Sequence, residues 1–153
     1  MKTLDKIREL ILESVDILVP KGLLSIPRHH MPQIEKKNYP EYFDLLSFRG
    51  IKVTRMYLPA NKLRVAQEDI DLEKVFKWSR SMPKGAQDKP LIVSSDLYIM
   101  DGNHTFLAVY NRSKNAKVDC YVVDLEIQEL INISRLFHRV TYKTVKEEVN
   151  GIF

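Results

Sequence analysis

The chain has 153 residues and 17.9 kDa, the size of one ordinary domain, and such a length buries roughly two-thirds of its unfolded surface without staples. Apolar residues at 44% and charged residues at 29% exclude a disordered or fibrous chain, and a net charge of +4 permits an anionic ligand without demanding nucleic acid. The single cysteine, Cys120, excludes an intramolecular disulfide framework and any multi-cysteine zinc site.

No apolar run approaches the ~18 residues of a membrane span, and Met1–Asp16 mixes charges with apolar residues instead of presenting a signal-peptide core. A soluble, cytoplasmic single domain over 1–153 is expected. Leu4, Ile7, Ile11, Val15 and Leu18 recur at helical steps, so residues 1–18 read as an amphipathic helix stopped by Pro20 and Gly22. An irregular stretch follows, punctuated by Pro27, Pro32 and Pro40. Tyr39–Phe48 carries Tyr42, Phe43, Leu45 and Leu46 on a helical period, with Gly50 beyond its end. Ile51–Leu58 alternates as a strand, and residues 1–50 read as a helical extension to a core beginning there.

Between 49 and 67 stand five basic side chains (Arg49, Lys52, Arg55, Lys62, Arg64) and no acid, and then Glu68, Asp69, Asp71 and Glu73 follow. That change of sign suits a polyphosphate with its metal. It equally suits acids opening a helix over Asp71–Ser79, where the helix dipole favours negative charge. Ser81–Lys89 reads as a loop, Pro90–Ser94 as a buried strand, Ser94-Ser95-Asp96 as a tight turn and Leu97–Met100 as a returning strand. A helix is expected over Thr105–Asn111, a strand over Lys117–Asp124 and a helix over Glu126–His138, before a basic tail spanning 134–153.

The chemistry concentrates at Asp101-Gly102-Asn103-His104, between a strand and a helix. Amides at a helix start, with the positive end of the dipole, attract phosphate, and Gly102 lets the backbone approach it. His104 is suited to a phosphate oxygen or a proton, and Asp101 to magnesium or to a hydroxyl proton. The alternative is an ordinary Asp-Gly turn, with Asp101 or Asn103 capping the helix. His29-His30 beside Arg28 offers polar groups among prolines, although side chains alternate in extended chain and only one can face a given pocket. Trp78, Phe76, Tyr42 and Phe43 fall on helical faces and read as core, and Cys120 alternates with Val118 and Val122 as a small hydrophobe.

Leu63-Arg64-Val65-Ala66-Gln67-Glu68-Asp69-Ile70-Asp71-Leu72-Glu73-Lys74-Val75 and Tyr98-Ile99-Met100-Asp101-Gly102-Asn103-His104-Thr105-Phe106-Leu107-Ala108 stand in the order and spacing of the ParB/sulfiredoxin superfamily. The span Val53–Leu130, about half the chain, resembles that family, and Arg28–Gln33 is similar to the Arg-x-x-x-Pro-Gln stretch of short phage ParB-domain proteins. The resemblance implies an α+β fold, a mixed sheet flanked by helices over 51–133 with an added N-terminal helix. It implies that Lys74 contacts a nucleotide (ATP, ADP or CTP), that Arg64 edges the site, and that Gly102 and His104 cradle phosphate. Asp101 matches the acid of the family's small-molecule kinases, such as the free-serine kinases.

Two residues depart from the family. Asn103 stands where sulfiredoxin has its catalytic cysteine, so sulfinic-acid reduction lacks its thiolate. Thr105 replaces the usual arginine and removes a bidentate phosphate clamp, a charge that Arg28 or Arg139 would have to supply. The expectation is a magnesium-dependent phosphotransferase or nucleotide hydrolase. Asp101 or the 68–73 acids would hold the metal and Glu68 would serve as base. Arg28, Gln67, Asn103 and Thr105 would stand beside Lys74, Gly102 and His104 on the nucleotide. The alternatives are a DNA-binding protein or ParB-like nuclease using the basic run, and a non-catalytic interaction module. Oligomerisation is left open.

Overall fold

The computed structural model describes residues 17–68, 70–81, 87 and 89–142, so the helix expected over 1–18 and most of the basic tail lie outside the described residues. Among these residues, six strands form one mixed sheet in the order β1-β3-β5-β4-β6-β2. The strands are β1 (Lys21–Ile26), β2 (Val53–Pro59), β3 (Arg64–Gln67), β4 (Leu91–Ser94), β5 (Tyr98–Asp101) and β6 (Lys117–Val123). The helices are α1 (Tyr39–Phe48), α2 (Leu72–Ser81), α3 (Asn103–Arg112) and α4 (Ile127–Ser134). None of the described helices is long and apolar enough to cross a membrane.

Alternation along the strands builds two cores, one on each face. Ala66, Ile92, Met100 and Val123 pack with Tyr42 and Leu46 of α1 and with Leu130 and Ile131 of α4. Val65, Leu91, Val93, Ile99, Val118 and Cys120 pack with Val75 of α2 and with Phe106 and Leu107 of α3. Every residue of Leu91–Ser94 is therefore buried, as an inner strand covered on both faces must be.

β1 and the four-residue β3 escape sequence patterning. β1 lies within the 1–50 extension, at the expected helix stop and the irregular chain after it, and it pairs parallel to β3 at the edge of the sheet. Gly22 admits Tyr98 there, because a Cβ at that position would run into the tyrosine ring. Met31, Ile34, Tyr39, Tyr42 and Leu46 join the same core, so residues 21–50 are integral to the sheet's packing. The helix expected over Glu126–His138 ends at Ser134, because Leu136 and Phe137 form tighter turns onto Ile133 and Ser134, which swing Phe137 into the core. Past it, Thr141 exchanges backbone hydrogen bonds with Gln33.

Because β1, β3 and β5 run parallel, their C-terminal ends lie at one end of the sheet. Ile26 is level with Gln67, and Val65 with Ile99, which puts Gln67 level with Asp101. In open sheets with such strands, ligands bind in the crevice beyond these ends.

Candidate functional site

Arg28, Gln67, Glu68, Asp101, Gly102, Asn103 and His104 gather at or just past those strand ends. Arg64 does not join them: it begins β3, at the far end of the strand from Gln67, and its guanidinium donates to the carbonyls of Asn61 and Leu63. Gln67 is buried and Glu68 is exposed. The Glu68 N–H donates to the Ile26 carbonyl at 2.7 Å and extends the β1–β3 pairing past Gln67.

Asp101 ends β5 with its carboxylate 6% exposed. Oδ2 accepts from Lys89 Nζ at 2.9 Å and from the Ile34 N–H at 3.0 Å. Lys89 Nζ also donates to the Ile34 carbonyl at 2.9 Å and lies 5.7 Å from the centre of the Tyr39 ring, whose hydroxyl donates to the Pro90 carbonyl. Burial pushes the Asp101 carboxyl above its ordinary range, with Lys89 pulling the other way. Sequence reasoning missed Lys89 and Ile34. The β4–β5 hairpin held a signal for the first: the register pairs Ile92 with Asp101, so residues just ahead of β4 reach the end of β5.

Gly102 is the N-cap of α3, with φ +102°, so neither Asp101 nor Asn103 occupies the capping position. A Cβ on Gly102 would stand 2.4 Å from Leu91 Cδ2. The glycine therefore answers to its left-handed backbone and to the core beneath it. Among the described residues no side chain caps α3, and no acid stands in its first turn. The helical ladder begins with the Phe106 N–H on the Gly102 carbonyl, leaving the Asn103, His104 and Thr105 amides outside it. Asn103 is 4% exposed, and its Oδ1, an acceptor, has no hydrogen-bond partner among the described residues.

His104 is 9% exposed, and its Nε2 accepts the Asp71 N–H at 3.1 Å. Asp71 in turn caps α2, its Oδ1 accepting the Lys74 N–H at 3.0 Å, and Glu73 follows in the first turn. Asp71 and Glu73 thus take the helix-opening places; Asp69 lies outside the described residues. The starts of α2 and α3 meet at His104, and both dipoles present their positive ends there. Lys74 belongs to this first turn of α2, with Nζ 4.4 Å from the centre of the Trp78 ring.

These residues suit an anion better than a cation. The unladdered amides at the acid-free start of α3 fit phosphate oxygens, whereas the start of α2 is already taken by Asp71 and Glu73. Magnesium at Asp101 does not fit, because the carboxylate is already neutralised by the Lys89 ammonium at 2.9 Å. Among the described residues, no three His, Cys, Asp or Glu side chains are grouped to hold a metal. No family model, no curated protein and no solved structure matches this chain.

Proposed function

We propose that the chain binds the phosphates of a nucleotide at the start of α3 and acts as a ParB/sulfiredoxin-like phosphotransferase or nucleotide hydrolase. The observation that carries the reading is the α3 start, free of acids in its first turn and with no side-chain cap among the described residues, which leaves its first amides outside the helical ladder. The two segments that resemble the family fall on β3–α2 and β5–α3, and the Asp71 N–H on His104 Nε2 joins the starts of the two helices.

In this reading the Asn103, His104 and Thr105 amides receive the phosphates, and Lys74 leaves the Trp78 face to join them. Exposed Glu68 is the carboxylate available to accept a proton. Asp101 acts through position, holding the end of β5 to Ile34 and Lys89.

The test is a thermal-shift screen of ATP, ADP and CTP, each with and without magnesium, joined to amide hydrogen exchange. Binding to the native state raises the melting temperature and slows exchange at 103–105. A melting temperature unmoved by all three nucleotides at millimolar concentration would overturn the reading and favour the interaction module. The nucleic-acid alternative draws less support, since Arg55 is held by Asp119 and Arg64 by backbone carbonyls.

A further inference from the structure

β2 is the last strand of the sheet, and among the described residues no strand pairs with its outer edge. The register reveals which backbone groups face that edge. The Asp124 N–H donates to the Lys52 carbonyl and the Ala60 N–H to the Ala116 carbonyl, in line with the β2–β6 pairing. Antiparallel ladders alternate, so the even-numbered residues of β2 turn their amide groups toward β6. Val53, Arg55, Tyr57 and Pro59 turn theirs outward.

Edge strands are ordinarily guarded by bulges, prolines or outward charges. β1, at the opposite edge, lies between Pro20 and Pro27 and carries a register irregularity. β2 pairs with β6 without a register shift from Val53 to Pro59, and its proline is terminal. Its one charge, Arg55, is bound to Asp119 at 2.7 Å within its own sheet. Beside it Tyr57 is 65% and Met56 38% exposed.

We infer that two copies of this chain pair antiparallel through β2, with Met56 on the two-fold axis, and merge their sheets. Three registers match the outward groups around the centre of the strand. The one with Tyr57 against the partner's Tyr57 spans only 55–59 and sets Pro59, which lacks an N–H, against Arg55 beside the axis, so two remain. One sets Arg55 against the partner's Arg55, placing like charges opposite each other. The other sets Arg55 against the partner's Tyr57, laying a guanidinium beside a phenol ring on both sides of the axis. In that second register Arg55 and the partner's Tyr57 exchange both amide hydrogen bonds. Val53 donates to the partner's Pro59 carbonyl, so the imide nitrogen of Pro59 falls at the flank, where its missing N–H costs least. Met56 meets the partner's Met56 as a non-hydrogen-bonded pair, the closer of the two antiparallel pair types. An edge contact of this length is smaller than a standard interface, so the dimer is concentration-dependent.

Sedimentation velocity from low micromolar to near-millimolar protein tests this, with Met56→Cys, Tyr57→Phe, Tyr57→Lys and Tyr57→Pro alongside. The native chain and Tyr57→Phe are expected to dimerise with rising concentration. Tyr57→Lys, which opposes Arg55 of the partner, is expected to weaken dimerisation at least tenfold. Tyr57→Pro removes an outward N–H and leaves the β2–β6 ladder intact, so it is expected to be monomeric with native circular dichroism. Should the proline impair folding, the lysine variant still decides. Met56→Cys is expected to form an interchain disulfide under mild oxidant, since a cysteine pair on the axis has the required spacing. A native chain monomeric throughout, a dimer unaffected by Tyr57→Lys, or a Met56→Cys that stays reduced in the dimer overturns the proposal.

Discussion

Lys89 Nζ lies 2.9 Å from Asp101 Oδ2 and 2.9 Å from the Ile34 carbonyl, and so joins β5 to the chain that leads into α1. The Ile34 N–H closes the same loop from the other side at 3.0 Å. The carboxylate is almost wholly buried, and the lysine side chain is about a quarter exposed. Truncating the lysine strands a charge in the interior. Lys89→Met is expected to cost about 3 kcal/mol, the low end for breaking such a pair, measured by urea denaturation. A loss below about 1 kcal/mol would show that water reaches Asp101 freely.

The pH dependence follows from the same carboxyl. Burial raises it above the ordinary 3.8, against the pull of Lys89 and of the Ile34 and Gly102 N–H groups. A raised acid binds its proton more tightly in the folded chain than in the unfolded one. Its stabilisation is full below the unfolded value and is lost as pH rises through the folded one. Asp101→Asn removes this titration, so its stability relative to the native chain should improve as pH climbs from about 4. The opposite slope would mean that the ion pair outweighs burial.

His104 carries the next expectation. Its Nε2 accepts the Asp71 N–H at 3.1 Å, so His104→Ala leaves the start of α2 without that acceptor. A loss of about 1 kcal/mol is expected, with faster hydrogen exchange concentrated at Asp71. If nucleotide binds through the α3 amides as proposed, it slows exchange at 103–105 and leaves Asp71 protected. Release of the Asp71 amide on binding would instead mean that the imidazole moves to the phosphate.

What the sequence disclosed follows from length and period. Tyr39–Phe48 shows its helical spacing, and Lys117–Val123 its alternation, so both elements fall where patterning puts them. β3 has only four residues, inside a run of basic ones, too few for a period to register. β1 reads Lys-Gly-Leu-Leu-Ser-Ile, with no clean alternation, and its strand character comes from pairing with β3 forty residues downstream. The Asp101–His104 turn was legible as strand end and helix start. Its engagements were not: Ile34 lies 67 residues and Asp71 33 residues from their partners, distances that no local pattern spans.

Cys120 is fully buried, and burial pushes its thiol up to about 12. The folded chain should resist iodoacetamide at pH 8 and react once unfolded, because alkylation needs the thiolate. The raised value has a stability consequence as well. An unfolded thiol ionises above about 9 while the folded one keeps its proton, so stability should fall as pH rises from about 9 to about 12. Cys120→Ala should remove that slope. Rapid alkylation of the native chain at pH 8 would contradict the packing assigned to β6.

Gly102 separates two roles that coincide at the start of α3. As a bare approach for phosphate, the position should tolerate alanine in folding and lose only ligand affinity. As a left-handed residue over the core it should not tolerate it. With φ at +102° and Leu91 Cδ2 2.4 Å from the Cβ position, Gly102→Ala meets both backbone strain and a clash. A loss of about 2–4 kcal/mol is expected, combining a strained backbone with overpacking. The two parts separate in a double-mutant cycle with Leu91→Ala, which removes the clashing methyl and leaves the backbone angle. The coupling should be favourable, with the double variant losing less than the sum of the singles. Additive losses would put the whole cost on the backbone, and a Gly102→Ala chain of native stability would show that Leu91 yields and that the glycine serves the ligand alone.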